Sequence, residues 1–201
     1  MTNTYKFSFT ATSLRTRDLV LIANWENKDH LDELELAIGN GKSATGKRIY
    51  AELKNWLEVL TEEQISILKS ASFKAQNEIA FLAVCKYYNF IREFVVEVIR
   101  EKYLVFDYEL IESDYLSFVR RKSDTNSEFE KLTEKTQYKI KQVCFKILAQ
   151  ANLIDNTKSK KIQPQLLEAE TQQAILNDNP EFMKFFLLAD IDINRLSSEY
   201  V

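Results

Sequence analysis

Residues 73–103 read FKAQNEIAFLAVCKYYNFIREFVVEVIREKY, and this stretch decides the fold. Its apolar residues recur at three- and four-residue spacing, the helical period. Tyr88-Asn89 interrupts the run, so the spacing predicts two consecutive helices broken there. The second carries Phe90, Ile91, Phe94, Val95, Val98 and Ile99, an apolar face too wide for a surface helix. A helix of that kind belongs in the middle of a core.

Working outward, the flanks are helical as well. A short extended arm is expected over 4–9, followed by a helix capped by Thr12 or Ser13. Leu31, Leu34 and Ile38 mark a second helix, NKDHLDELELAI, stopped by Gly39-Asn40-Gly41. A third is expected over 43–60 along Ile49, Leu53, Trp56 and Leu57. Thr61-Glu62-Glu63-Gln64 has the hydroxyl and amide of a capping box, opening a helix that ends near Ser70. Beyond a connector at 105–110, Ser113 is expected to cap a helix with Tyr115, Leu116, Phe118 and Val119. Thr133 should cap another over about 134–151. Asn152 suits a left-handed helix end. LID and KKIQPQ could pair as a two-stranded wing, and Asn179-Pro180-Glu181 opens a last helix to about Leu188.

The 201 residues include only 3 Gly and 2 Pro, too few for the turns of a sandwich or barrel. The fold class expected is therefore all-α, with a winged-helix-like C-terminal subdomain and at most a small β-hairpin. A division near residue 105 would give subdomains 1–105 and 106–201. The 45% hydrophobic and 28% charged content is that of a globular chain rather than a disordered one. The longest apolar runs, such as LVLIA at 19–23 and FFLLA at 185–189, are far short of a bilayer span, and a cytoplasmic protein is expected.

Enzyme chemistry finds little support. Two cysteines, Cys85 and Cys144, lie in apolar helical patterns and exclude a four-cysteine zinc site. His30 is the one histidine and sits in a charged run, without a nucleophile and base arrangement around it. Glu52-Leu53-Lys54 matches a nuclease tripeptide but falls mid-helix. Gly41-Lys42-Ser43-Ala44-Thr45-Gly46-Lys47-Arg48 nearly spells a phosphate-binding loop. Arg48 stands where the Mg²⁺-ligating hydroxyl belongs, and no strand precedes the motif. No catalytic residue, metal or cofactor is expected.

Charge distribution is more informative than the net −3. Between Tyr115 and Gln163 stand eleven basic and five acidic residues, a local +6 that leaves −9 for the rest. In the helix after Thr133, Lys135, Lys139, Gln142 and Lys146 share one face, opposite Ile140, Cys144 and Ile147. Lysine meets phosphate or guanine, and glutamine meets adenine. Thr133 and Thr136 add hydroxyls at the positive helix end. Arg120, Arg121 and Lys122 close the preceding helix, and Lys160 and Lys161 would stand on the wing. Helix, helix and basic hairpin is the order of a winged helix-turn-helix. Any amphipathic helix also has a charged outer face, so pattern alone leaves a solvated surface as an equal reading.

Four stretches together resemble a known family. They are YKFSFTATSLRTRD at 5–18, FLAVCKYYNFIREFVVEVIREKYL at 81–104, the acidic connector with its aromatic helix, and KLTEKTQYKIKQVCFKILAQANLID at 131–155 followed by IQP. Their order resembles the BrxA family of BREX bacterial phage-defence systems. The resemblance implies a mostly helical, cytoplasmic, DNA-binding protein of winged-helix or antitermination-factor-like fold that acts with other BREX proteins. It supplies no catalytic residue. The expected partners are double-stranded DNA and other BREX proteins, with no membrane and a monomeric chain. The alternative is a protein–protein adaptor in the same assembly, docking through its acidic surface and the aromatic tail PEFMKFFLLADIDI.

Overall fold

The computed structural model describes residues 5–25, 30–124, 126–129 and 131–199. Among them the architecture is all-α, with no strand beyond isolated bridges. The helices are α1 (Thr16–Ala23), α2 (Leu31–Ile38), α3 (Ser43–Leu57), α4 (Glu62–Ser70), α5 (Phe73–Tyr87), α6 (Asn89–Phe94), α7 (Glu101–Leu104), α8 (Glu112–Ser123), α9 (Glu134–Gln150), α10 (Ala169–Asp178) and α11 (Asp190–Glu199). Residues Asn27 to Asp29 of the expected second helix, and Thr125 and Glu130, lie outside the described residues.

The central rod is α6, a π-helical segment (Val95–Arg100) and α7 in continuous succession. Phe90, Ile91, Phe94, Val95 and Ile99 are all fully buried in it, as the wide apolar face requires. The helix breaks at Tyr88, whose extended ψ of 100° turns the chain between α5 and α6. Tyr88 is held in the core. Its hydroxyl donates to Glu52 and accepts from Trp56 Nε1 at 3.1 Å.

Local signals fixed several boundaries. Thr61 Oγ1 accepts from the Gln64 N–H at 3.2 Å, and Gln64 Oε1 from the Thr61 N–H at 3.1 Å. Asn40 and Gly41 take positive φ, and the Gly41 N–H closes α2 on Leu36 O. Asn152 is left-handed, with φ 59°.

Other boundaries differ from expectation. The arm is not extended throughout: Ser8–Ala11 form a 3-10 turn, because Phe9 turns fully into the core. The Thr12 and Ser13 N–H groups both bond Phe9 O, so neither residue caps a helix, and α1 starts at Thr16. Ser113 lies inside the first turn of α8; Asp114 provides the end contact, accepting from the Ile111 N–H at 2.9 Å. The tail is not one helix. Pro180–Phe186 is a 3-10 turn, Leu187 is left-handed, and α11 follows. The helix α10 had no counterpart in the expectation.

Helices from both sides of residue 105 share one core. The N-terminal 3-10 turn lies against α9, α10 packs on α4 and α5, and the Pro180–Phe186 turn packs on the rod. Tyr5, Phe7, Phe90 and Phe129 form a cluster of rings with centroids 5.3–6.1 Å apart.

Candidate nucleic-acid interface

Helix α9 is fixed by its apolar side. Ile140, Val143, Cys144, Phe145, Ile147 and Leu148 are buried, and burial raises the Cys144 thiol well above its ordinary pKa. Thr133 begins the helix by accepting the Thr136 N–H at 3.3 Å, and the two threonine hydroxyls lie 2.9 Å apart. Opposite the seam, Lys135, Lys139, Gln142 and Lys146 are all exposed, so the expected face exists as one surface.

Lys139, Gln142 and Lys146 of that surface form the floor of an open groove of about 860 Å³. One wall is the N-terminal arm, Thr10–Ser13 and Arg15. The other carries Glu112, Thr157 and Lys160. Of the expected site residues the groove gathers Lys139, Gln142, Lys146 and Lys160. It adds Arg15, and also Tyr138 and Lys141, which pattern reading did not select as site residues. Tyr138 is 63% exposed, and the Lys141 ammonium lies 5.8 Å from its ring centre. An exposed tyrosine beside lysines was visible in the sequence as Tyr138-Lys139, but only the fold shows that it faces a groove.

Among the described residues five basic side chains line this groove against one carboxylate, and one of the five, Arg15, is paired with Asp18 outside it. That carboxylate, Glu112, is engaged: Lys141 Nζ donates to it at 2.5 Å and holds its pKa below the usual range. Among the described residues Lys139 Nζ reaches only Gln142 Oε1, at 3.5 Å. Lys160 sits with its ammonium 5.3 Å from the Phe145 ring centre.

The remaining expected residues are elsewhere. Lys122 donates to Glu97 at 2.5 Å and pairs with Glu93 at 2.6 Å on the rod. Burial alone would lower its pKa, but these two carboxylates outweigh that and raise it. Arg121 reaches Glu97 at 3.8 Å, and Arg120 is exposed. Neither they nor Thr133, Thr136, Lys135 and Lys161 line the groove. Lys161 instead faces a separate cavity with Tyr103, Tyr108 and Asp155.

The segments expected to form a wing belong to a small three-segment arrangement. Ile154 bridges Ile162, and Glu109 bridges Lys161. The Ile162 N–H donates to Tyr108 O at 2.8 Å and the Leu110 N–H to Lys160 O at 3.3 Å. The connector thus supplies a third extended segment, which its short and irregular sequence did not announce.

The BrxA family model matches residues 3–179. The chain belongs to the BrxA family. Membership brings a role associated with BREX systems. The fold is similar to that of an uncharacterized protein from Magnetospirillum magneticum, at TM-score 0.73 and 17% identity over 91% of this chain and 97% of that one. At that identity the likeness concerns the fold. No curated protein sequence matches the chain. Among the described residues no helix is long and apolar enough to cross a membrane, and no group of three or more His, Cys, Asp or Glu could hold a metal ion.

Proposed function

We propose that this BrxA-family chain is a non-enzymatic, double-stranded DNA-binding component of its BREX system. One observation carries the reading. The exposed face of α9 bears Lys135, Lys139, Gln142 and Lys146, and the last three line a groove whose one carboxylate among the described residues is already paired. Uncompensated lysines around an amide-bearing helix face suit phosphate contact and base-edge readout. The chain order supports it: rod, extended segment 108–110, α8, α9 and then the paired segments 153–155 and 160–163 follow the order of a winged helix-turn-helix. Arg121 and Lys122, paired with the rod, take a supporting rather than a contacting part. Replacing both Lys139 and Lys146 by Glu should abolish duplex binding in an anisotropy titration while the helical circular dichroism is unchanged. Unchanged binding would remove α9 from the interface.

The adaptor reading has an observation of its own. The tail proposed for docking is core, since Met183, Phe185, Phe186 and Leu187 are buried. Exposed apolar side chains stand instead on the connector, where Val105 and Phe106 are bare and Phe106 takes a left-handed φ of 63°. Contacts with other BREX proteins would use this tip, on a monomeric chain.

A further inference from the structure

We infer that the N-terminal arm, Thr10–Arg15, is the second contact element of the DNA site and seats one phosphodiester backbone against α9. The inference rests on the DNA-binding reading of α9 and adds a segment to it.

The arm is a built wall. Phe9 anchors it, fully buried, with its ring 5.3 Å from Tyr88 and 6.2 Å from Phe90. Ser8 Oγ donates to Glu52 at 2.8 Å, and the Leu14 N–H to Gln150 Oε1, on α9, at 3.0 Å. The intervening backbone is folded on Phe9 O by the Thr12 and Ser13 N–H groups, and Ser13 adopts a positive φ of 54°. A non-glycine residue in that region is held there by its surroundings. The wall is therefore in place before any ligand arrives, which reduces the ordering cost of binding.

Its position selects the ligand. Lys139 and Lys146 are two helical turns apart on the floor, about 10 Å along the axis. Lys160 adds a third ammonium beside the Phe145 ring, while Arg15, on the arm, is paired with Asp18 and donates to Ile38 O. An extended polyanion passing along the groove meets the positive charge of Lys139, Lys146 and Lys160, with the arm as a neutral wall beside it. The arm segment itself contributes no carboxylate: residues Thr10 to Arg15 read TATSLR. Thr12 and Ser13 are buried, and the small side chains of Thr10 and Ala11 are partly exposed, so a sugar-phosphate chain would approach the wall at Thr10 and Ala11. Repeated charge at regular spacing is the chemistry of a nucleic acid strand.

Ala11 tests the wall without touching the anchor. It is partly exposed, lines the groove, and ends the 3-10 turn. The full chain is titrated against a labelled mixed-sequence DNA duplex across a salt series. Ala11→Glu should weaken binding by about tenfold, and Ala11→Lys should strengthen it and steepen the log–log salt slope by about one. Damage to the fold would weaken both variants alike, so opposite signs are the supporting result. Equal behaviour of the two variants, with binding abolished by Lys139→Glu, would overturn the arm contact and leave α9 as the interface. Binding indifferent to Lys139→Glu as well, or none by the wild-type chain, would overturn the reading of α9 and the arm together. Polyglutamate competing as strongly as duplex DNA per charge would also overturn it, assigning the groove to an acidic polypeptide.

Discussion

At the scale of single residues, Gly46 shows how a tempting motif acquires a packing role. A Cβ built there would stand 1.8 Å from the backbone oxygen of Glu35, so the glycine permits α2 and α3 to cross closely. Gly46→Ala should lower stability by at least about 1–3 kcal/mol, as overpacking does, read by urea denaturation. Wild-type stability would refute the crossing as drawn. Glu78 gives a pH signature. Burial raises its carboxyl pKa, opposed by the Glu168 N–H that it accepts and by Lys74. Its folded pKa exceeds the unfolded one, so ionisation favours the unfolded chain. Stability should therefore fall as pH rises from the ordinary glutamate value through the raised one. Glu78→Gln should flatten that fall. An unchanged pH profile in the variant would assign the fall to other groups.

Among elements, what was legible in the sequence was local. Thr61 and Gln64 lie three residues apart, Gly39-Asn40-Gly41 is contiguous, and Thr133 and Thr136 meet across one turn. Each such stop or start is closed by neighbours in the chain. The missed elements depend on distant partners. Helix α10 docks through Ala174 O and Asp178, which accept from Gln64 Nε2 at 3.2 and 3.0 Å, and Lys86 pairs with Asp178 at 2.8 Å. The 3-10 turn of the arm exists because Phe9 finds Tyr88 and Phe90, and segment 108–110 because residues 160–162 lie beside it. In the site, the α9 face followed from period alone. That Arg121 and Lys122 turn to Glu97 and Glu93, and that Arg15 lines the groove, needed the tertiary fold. The tail carries a prediction of its own. Met183, Phe185, Phe186 and Leu187 are buried, each stabilising by about 1.5–3 kcal/mol. A chain ended at Asn179 should lose its cooperative thermal transition, since that sum is comparable with the whole stability of a domain. A sharp transition near the full-length Tm would make the tail an appendage.

For the whole molecule, the central fact is a separation of charge. The chain is acidic overall, yet its basic residues concentrate between Tyr115 and Gln163, and the fold turns four of them into a groove. Elsewhere, bases are spent on internal pairs such as Arg100 with Asp190, Lys184 with Glu181 and Lys102 with Asp114. A protein that binds a duplex through this groove should do so in one orientation, set by the groove's lysines. The most direct measurement is the salt dependence of wild-type binding to duplex DNA, with matched RNA as competitor. A log–log slope of about −3 to −4, set by lysines on the groove floor and walls, is the expected result. A flat response, or no saturable binding at low salt, would contradict it and leave the α9 face a solvated surface.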